Sequence, residues 1–314
     1  MIRVSVVIPT YNRRKALLRA IESIRAQSIQ VHEIIVVDDG STDDTADYLA
    51  AAVSPVVYLR TKNRGVSSAR NIGIHKASCE WVAFLDSDDT WAPDKLERQQ
   101  ALITNTGCVL CFTGCSNEDG ERLDDLPLMT SEGANEDFQA PKCDVAFFRH
   151  PRHPFVQSAL VRRDALISAG LFDESLRVAE DTKLLYRLVM DHGFAAVIAP
   201  LVTICRGRSI PGLSDEMDPL LAARRFECYT RVQAEFYWAL IGRNTTAAEI
   251  LRRNHGYFVS RWAELAAVNG DHQLARSLGR EASLGRGGFK SRLRGLLTLL
   301  SPRLIRGYTR RKWK

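Results

Sequence analysis

Apolar strand patterns alternate with amphipathic helix patterns over the first hundred residues, and this alternation constrains the fold most strongly. The predicted strands lie at residues 3–9, 32–40, 55–61 and 80–86, and the predicted helices lie between them at 13–27, 42–52 and 65–77. Strands that are apolar on both faces are typical of parallel sheets that helices cover on both sides. The order therefore predicts an α/β fold with a mostly parallel, doubly wound, Rossmann-like sheet.

The chain of 314 residues is long enough for one large domain and a smaller unit after it. The predicted parts are an α/β domain at 1–212 with halves at about 1–106 and 107–212, a helical appendage at 213–285 and a basic tail at 286–314. Within the second half we expect a hairpin turn at Asp119–Gly120, an irregular polar loop at 129–143 and a last strand at 195–206. The helical spacing of the appendage is interrupted by a turn at Asn269–Gly270.

The net charge of +6 is concentrated at the C-terminal end of the sequence. Residues 286–314 hold ten Lys or Arg and no Asp or Glu, and leucines recur there at helical spacing up to Pro302 and beyond. This combination predicts an amphipathic segment that contacts an anionic membrane surface, with packing of the leucines against the rest of the protein as the alternative. Because the segment has few aromatic side chains that could stack on bases, we expect no nucleic-acid partner.

Seven cysteines, an odd number in a long chain, favour reduced thiols and a cytoplasmic location over a disulfide framework. Cys108, Cys111 and Cys115 could bind zinc or an iron–sulfur cluster, but the apolar segment around them favours thiols buried in a core. No charged leader with an apolar core precedes the first strand, and no run of about 18 apolar residues occurs. We therefore expect neither secretion through a signal peptide nor a membrane-spanning helix.

Acidic clusters follow two of the predicted strands at their carboxyl ends, where parallel sheets bind ligands. Asp38 and Asp39 lie at the end of the second predicted strand, and Asp86, Asp88 and Asp89 lie at and just beyond the end of the fourth. Carboxylates this close together repel one another, which points to a cation between them. Neither a G-x-G-x-x-G fingerprint nor a Walker A loop occurs, so the patterns predict neither a dinucleotide site nor a P-loop.

Five segments occur in an order that resembles the family 2 glycosyltransferases, which have the GT-A fold. They are VSVVIPTYNR, EIIVVDDGSTDDT, NRGVSSARNIGI, VAFLDSDDTWAPDKL and GLFDESLRVAEDTKLLYRL, and together they cover about residues 3–210. The resemblance implies an inverting enzyme that moves a sugar from a nucleotide-diphospho-sugar, with UDP- and dTDP-sugars favoured, to a hydroxyl of a glycan or lipid-linked acceptor. By analogy it also implies bacterial polysaccharide or lipopolysaccharide biosynthesis, at the inner face of the cell membrane.

By this resemblance, Asp86-Ser87-Asp88 matches the DXD motif of the family. Asp88 is then the direct ligand of a divalent metal, and Asp86 reaches the metal through water or contacts the ribose. Carboxylate oxygens are hard ligands that suit Mn²⁺ or Mg²⁺, and such an ion neutralises the diphosphate as it leaves. The alternative is an acidic loop that caps the next helix, with Asp89 or Thr90 as the N-cap, and for Asp89 we favour that alternative.

The resemblance also assigns a nucleotide pocket. Asp39 would accept the imide N–H of the base, with a plain turn as the alternative for its segment. Pro9, Thr10 and Tyr11 would line the base and ribose, Tyr11 being available for stacking. Arg70, in the ARN segment, would face the diphosphate, and an exposed helix arginine is the alternative for it.

Asp181 matches the catalytic base of the family, which removes the proton of the acceptor hydroxyl as its oxygen attacks the anomeric carbon. Glu180 would orient the site or bind the acceptor. The alternative for both residues is a helix N-terminus enriched in acidic side chains. Many relatives carry a His after the last strand, but this sequence reads ICRGRSIPGLSD, so Arg206 or Arg208 could take its place.

Two other classes of function remain open. A nucleotidyltransferase would use a similar sheet and metal but would need a Gly-rich phosphate loop, which this sequence lacks. A non-catalytic protein that binds a membrane surface through residues 286–314 would not need Asp88 or Asp181.

Overall fold

The computed structural model describes residues 2–46, 49, 56–129, 136–149, 154–205, 218–285 and 287–302. The chain divides into two compact units. The first unit comprises Met1–Ser175 and Glu180–Gly207, and the second comprises Leu176–Ala179 and Arg208–Lys314. The predicted boundary at residue 212 lies outside the described residues and stays a prediction.

The first unit is built on a mixed sheet whose first half follows the predicted order. Strands β1 (Val4–Thr10), β2 (Glu33–Asp38), β3 (Val57–Arg60) and β4 (Trp81–Phe84) are parallel and lie in the order β3-β2-β1-β4. Helix α1 (Arg14–Arg25) connects β1 to β2, and helix α2 (Val66–Lys76) connects β3 to β4. The prediction of an α/β fold is confirmed.

The second half of the sheet contains both parallel and antiparallel pairs. Its strands are β5 (Thr90–Trp91), β6 (Leu110–Asn117), β7 (Phe138–Ala140), β8 (Leu160–Arg162) and β9 (Phe194–Ile204). Strand β8 lies between β4 and β6 and is antiparallel to both, whereas β6 and β9 are parallel. The sequence pattern does not encode this change of direction, because an apolar strand can pair with its neighbours in either direction and the connections decide.

Strand β7 corrects the prediction of an irregular loop at 129–143. Its residues pair antiparallel with β9, so Gln139 lies opposite Ala195. The ring of Phe138 packs edge-on against Phe194, with 5.8 Å between the ring centroids. Backbone pairing with β9 and this aromatic contact together hold the segment in the sheet.

The first core lies between the sheet and the helices that cover it. Val6 and Ile8 of β1 pack in the same cluster as Leu17 and Ile21 of α1. On the other face, α2 lies so close to β1 that a Cβ at Gly73 would be 2.3 Å from a methyl carbon of Val7. Helices α1 and α2 thus cover opposite faces of the sheet, as the periodicity predicts, whereas residues 47, 48 and 50–52 of the predicted helix at 42–52 lie outside the described residues.

The clustered thiols lie in this core. Cys108, Cys111 and Cys115 are buried among its apolar side chains, which confirms the prediction for them. Burial raises the pKa of the Cys111 thiol to about 12. Within the described ranges, no group of three or more His, Cys, Asp or Glu side chains forms a metal-binding cluster.

Further α-helices lie in the described part of the first unit. They are α3 (Lys95–Thr106), α4 (Val145–Arg149), α5 (Arg163–Ser168) and α6 (Glu180–His192). Helix α6 buries Leu184, Leu185, Leu188 and Val189 on one face, and these residues are the apolar stripe of its sequence. The predicted hairpin turn also forms, since Ser116 pairs with Arg122 around Gly120.

The second unit is helical, as predicted for the appendage. Its helices are α7 (Pro219–Leu240), α8 (Thr245–Asn269), α9 (His272–Leu284) and α10 (Phe289–Leu300). The side chains of Asp218, Asn244 and Asp271 cap the first three of these helices. In the part of the chain that the structure describes, no helix is both long enough and apolar enough to cross a bilayer.

Helix α10 buries small side chains and exposes large apolar ones, the reverse of the usual arrangement. The small residues Ser291, Gly295 and Thr298 are buried, and a Cβ at Gly295 would lie 2.7 Å from the Cβ of Ala282 on α9. The exposed face carries the large apolar side chains of Phe289, Leu293, Leu296, Leu297 and Leu300. The alternative in which the leucines pack against the protein is therefore wrong for these residues.

Candidate functional site

The sheet order brings the predicted site residues to one edge. Strand β1 lies between β2 and β4, so the loops that follow these three strands are neighbours. The backbone N–H of Asp39 donates to the carbonyl of Thr10 at 2.9 Å, and that of Leu85 donates to Val7 at 3.1 Å. The acidic clusters after β2 and β4 therefore flank the end of β1.

Asp38 is a structural residue of the turn after β2. Its buried carboxylate accepts hydrogen bonds from the backbone N–H of Ser41 at 2.7 Å and from the hydroxyl of Tyr58 at 2.6 Å. Burial and the hydrogen bond to Asp38 raise the pKa of Tyr58. Both carboxylate oxygens of Asp38 thus accept hydrogen bonds that stabilise the local fold.

Asp39 organises the entrance to α2. Its Oδ1 accepts from the backbone N–H of Arg64 at 2.9 Å, and its Oδ2 accepts from that of Gly65 at 2.7 Å. Each carboxylate oxygen has a second lone pair, so these bonds leave acceptor capacity for a ligand N–H. The role of Asp39 toward a nucleobase stays a prediction, and the structure adds that Asp39 holds the loop beside that position.

The end of β1 carries an unpaired buried hydroxyl. Pro9 and Thr10 are buried at the end of the strand, whereas Tyr11 is exposed. Among the described residues, the Oγ1 atom of Thr10 has no hydrogen-bond partner. Since buried polar atoms are nearly always paired, this hydroxyl is a candidate contact for a bound molecule.

Arg70 joins the two acidic parts of the site. Only 4% of its side chain is exposed, so the alternative of an exposed helix arginine is wrong. One terminal nitrogen donates to Oδ1 of Asp86 at 2.8 Å, the other donates to Oε1 of Glu180 at 2.9 Å, and the guanidinium lies 5.2 Å from the ring centroid of Phe172. Burial opposes the charged guanidinium, but Asp86 and Glu180 outweigh it and raise the pKa of Arg70. Its predicted contact with a diphosphate stays a prediction.

The Asp86-Ser87-Asp88 segment presents two partly exposed carboxylates around a buried serine. The side chains of Asp86 and Asp88 are 27% and 30% exposed. Asp88 forms an ion pair with Arg13, from the loop after β1, and Asp86 accepts from Nε2 of Gln157 at 2.6 Å. Arg13 and Gln157 were missed by the sequence analysis. Arg13 is the last residue of the first motif, VSVVIPTYNR, but no sequence signal distinguishes Gln157.

The carboxylates of Asp86 and Asp88 fit a divalent cation by the chemistry of their oxygens. Both are reachable from solvent, and both are held by cationic or N–H groups. Arg13 already contacts Asp88, which shows that this carboxylate can hold a positive charge. An ion bound there would take its remaining oxygen ligands from water or from a phosphate.

Asp89 does not cap the following helix, so this prediction is wrong. Helix α3 begins at Lys95, and Thr90 lies in β5. The buried Asp89 accepts from the backbone N–H of Cys205 at 2.9 Å and from Nε2 of Gln157 at 3.0 Å. Burial and the charge of Asp86 raise the pKa of Asp89 to about 7. This carboxylate therefore ties the loop after β4 to the end of β9.

Glu180 and Asp181 open helix α6 and differ in environment. Glu180 is buried and pairs with Arg70. Burial and the charge of Asp181 raise the pKa of Glu180 to about 7, although Arg70 acts in the opposite direction. Asp181 is partly exposed, and its Oδ1 accepts from the backbone N–H of Thr182 at 2.6 Å. Glu180 thus faces the protein, whereas Asp181 has access to solvent.

Two predicted positions lie outside the described residues. They are Arg206 and Arg208, which were considered in place of the histidine of the family. Of the other predicted residues, Arg70, Asp86 and Glu180 form one connected network. Asp181 directly follows Glu180 in the chain, and Asp88 follows Asp86 after the intervening Ser87.

Comparison with known proteins confirms the family resemblance. The sequence profile described as Glycosyl transferase family 2 matches residues 5–168, about half of the chain. An uncharacterized glycosyltransferase of Rickettsia bellii is 33% identical over 183 residues, which cover 57% of this chain and 25% of that protein. The succinoglycan biosynthesis protein ExoO of Rhizobium meliloti is 36% identical over 205 residues, which cover 62% of this chain and 58% of ExoO. The matches span about a quarter to a third of the length of the rickettsial relatives that head the comparison.

Two solved structures share the fold. Residues 1–349 of S. aureus TarS, in complex with UDP-GlcNAc, superpose with a TM-score of 0.67 at 17% identity, covering 99% of this chain and 92% of that chain. The mannosyltransferase PcManGT from Pyrobaculum calidifontis, in complex with GDP-Man and Mn²⁺, superposes with a TM-score of 0.56 at 20% identity, covering 98% and 88%. At these identities the likeness establishes the GT-A fold alone.

Proposed function

The chain belongs to glycosyl transferase family 2, and we propose that it transfers a sugar from UDP or dTDP to a hydroxyl of a glycan or lipid-linked acceptor, with inversion at the anomeric carbon. The observation that carries this proposal is the network in which Arg70 connects Asp86 of the DXD segment to Glu180 beside the candidate base. The names of two proteins support the substrate class: ExoO takes part in succinoglycan biosynthesis, and TarS was solved with UDP-GlcNAc. The proposed pathway is bacterial polysaccharide or lipopolysaccharide synthesis.

The donor nucleotide would occupy the edge formed by the loops after β1 and β2. Asp39 offers acceptor oxygens for an imide N–H, which is present in uracil and thymine. The buried hydroxyl of Thr10 offers a partner for the ribose or base. Pro9 would line the pocket, and the exposed ring of Tyr11 is available for stacking.

Asp88 would hold Mn²⁺ or Mg²⁺ directly, and Asp86 would hold it directly or through water. Bound there, the ion supplies Lewis-acid neutralisation of the diphosphate leaving group. PcManGT was solved with Mn²⁺, which supports this choice of ion. Ser87, which lies between them, would contact the nucleotide-sugar.

Asp181 would act as the general base. It would accept the proton of the acceptor hydroxyl while the bond from that oxygen to the anomeric carbon forms and the bond from the anomeric carbon to the diphosphate breaks. Its access to solvent and its place at the N-terminus of α6 suit a carboxylate that an acceptor hydroxyl can reach. Glu180 would orient the site through Arg70.

We place this activity in the cytoplasm, at the inner face of the cell membrane, with residues 286–314 against anionic lipid. Of this segment, 287–302 are described and 286 and 303–314 are not. The exposed apolar face of α10 supports the proposal, as do the ten basic residues of the segment. A lipid-linked acceptor would be found at the same surface.

The test is calorimetric titration with UDP, dTDP and GDP, each in Mn²⁺, in Mg²⁺ and in chelator. We expect metal-dependent binding of UDP or dTDP that Asp88→Ala weakens at least tenfold. Asp94→Ala is the matched control, because Asp94 lies between β5 and α3 and its side chain makes no capping hydrogen bond. Binding of none of the three diphosphates would contradict the proposal, and vesicle binding in that case would favour a non-catalytic membrane protein.

The assignment of the base needs a second variant. Asp181→Asn should keep donor binding and lower kcat by about 10²- to 10⁴-fold, since a positioned base contributes that much. An Asp181→Asn protein with wild-type kcat would remove Asp181 from the mechanism.

A further inference from the structure

Gln157 makes two hydrogen bonds that match the geometry of its amide group. It lies on a single 3₁₀ turn, Val156–Ser158, and its side chain is buried. Its Nε2 atom lies 2.6 Å from Oδ2 of Asp86 and 3.0 Å from Oδ2 of Asp89. An amide NH₂ group carries two hydrogens, so each carboxylate receives one.

The two carboxylates are otherwise fixed by different groups. The second oxygen of Asp86 accepts from Arg70, and the second oxygen of Asp89 accepts from the backbone of Cys205. Gln157 therefore completes a chain of hydrogen bonds that runs from Arg70 through Asp86 and Asp89 to the end of β9. Within this chain Asp86 is held on both of its oxygens.

The backbone of Gln157 is itself anchored, so its amide acts from a fixed point. Its carbonyl accepts the indole N–H of Trp91 at 3.2 Å, and the next carbonyl, that of Ser158, accepts from Nε2 of Gln99 at 2.9 Å. A donor on a fixed backbone can orient a partly exposed carboxylate such as that of Asp86.

A neutral amide has a specific advantage at this position. A Lys or Arg side chain would add a positive charge that competes with a cation for the same carboxylates. A Glu side chain would repel Asp86 and Asp89 and would lack the two donors. Gln supplies two N–H groups and leaves the negative charge of the loop unchanged.

We propose that Gln157 is a positioning residue for the cation site: it bridges the carboxylates of Asp86 and Asp89 and thereby sets the orientation of the Asp86 carboxylate. This inference rests on the proposed function, since it assumes that Asp86 and Asp88 hold a divalent cation. Gln157 acts through Asp86 and does not itself contact substrate or metal.

The test compares Gln157→Met, which keeps the length of the side chain but removes both donors, with Gln27→Met. Gln27 is a matched control, because its Nε2 donates to backbone carbonyls, including that of Ala92 at 2.8 Å, and contacts no carboxylate. Binding of Mn²⁺ is measured by electron paramagnetic resonance, without nucleotide and with UDP or dTDP, and Tm is measured for each protein.

We expect Gln157→Met to bind Mn²⁺ about 10- to 100-fold more weakly, as is found when a hydrogen-bond partner of a metal ligand is lost. Excess Mn²⁺ should restore transfer activity in this variant. Gln27→Met should lower Tm and leave Mn²⁺ affinity unchanged.

Three results overturn the inference, and they are distinguishable. Wild-type affinity in Gln157→Met overturns it alone, provided that Asp88→Ala loses Mn²⁺ binding. Equal losses of affinity in Gln157→Met and Gln27→Met would assign the effect to general destabilisation. If the wild-type protein binds no Mn²⁺ yet binds UDP or dTDP in chelator, the metal site fails together with the role of Gln157, while the transferase proposal stands.

Discussion

In most folded proteins, charged side chains are exposed and large apolar side chains are buried. The network of Arg70, Asp86 and Glu180 in the first unit departs from this rule in one direction, and helix α10 in the second unit departs from it in the other. Around the carboxyl ends of β1, β2 and β4, charged side chains are buried, and Arg70, Asp86 and Glu180 pair with one another. In α10, leucines are exposed, and a serine, a glycine and a threonine face the other helices. Buried charge and exposed apolar surface are the informative exceptions in a folded protein.

The contrast shows that the two kinds of exception differ in how strongly the stability of the protein depends on them. A buried charge is tolerated only with a partner, so each member of the network depends on the others. Replacement of an exposed leucine on α10 should change the stability of the folded protein little, because the side chain makes few contacts that could be lost. Substitutions should therefore affect stability strongly in the network and weakly on the outer face of α10.

The largest effect on stability is expected from Arg70→Met. This change leaves the buried Glu180 and the partly exposed Asp86 without their shared partner, and the loss of one member of a buried ion pair costs about 3–5 kcal/mol. Urea unfolding followed by circular dichroism measures it. Arg64→Met is the control, since Arg64 is 64% exposed and pairs with Glu174 at 3.2 Å at the surface, where such pairs contribute less than about 1 kcal/mol. Equal effects of the two substitutions would contradict the buried network.

A smaller effect on folding stability is expected from a change of pH. The pKa of Glu180 is raised to about 7 in the folded protein from an ordinary value of 4.5, so between these values the folded state binds more protons than the unfolded state. Stability should therefore fall as pH rises from about 4.5 to 7, by roughly 1 to 3 kcal/mol from this group. Glu180→Gln should flatten that slope in urea unfolding at a series of pH values. An unchanged slope would assign it to other groups, of which Asp89 is the first candidate.

The smallest of the three effects is expected from a substitution on the exposed face of α10, where vesicle binding should weaken while Tm stays almost unchanged. Leu296→Glu should weaken binding to vesicles of anionic phospholipid by about tenfold, because a leucine that enters the interface contributes at least about 1.5 kcal/mol. Its Tm should stay near that of the wild type, since Leu296 is exposed. Leu128→Glu is the control, as this leucine is exposed in the first unit. Unchanged vesicle binding in Leu296→Glu would remove α10 from the proposed membrane contact.

Much of the first unit follows from the sequence, because its signals are local. Strands β1 to β4 and helices α1 and α2 form where apolar periodicity predicts them, and the acidic clusters follow the strands at which parallel sheets bind ligands. The predictions weaken after residue 106. Strand β7 was taken for a loop, and Asp89 was taken for a helix cap, because the partner of each, β9 in one case and Gln157 with Cys205 in the other, lies far away in the chain.

By itself the sequence determined the family, the α/β class of the first unit and the helical class of the second, since periodicity and ordered motifs are properties of neighbouring residues. Only the tertiary structure decided which charges are paired. Arg70 contacts Glu180 across 110 residues, Gln157 contacts Asp86 across 71, and neither contact leaves a local pattern. The tertiary structure also decided which face of α10 is buried, because a leucine-rich helix can bury either its large or its small residues, and close packing of Gly295 against α9 selected the small ones.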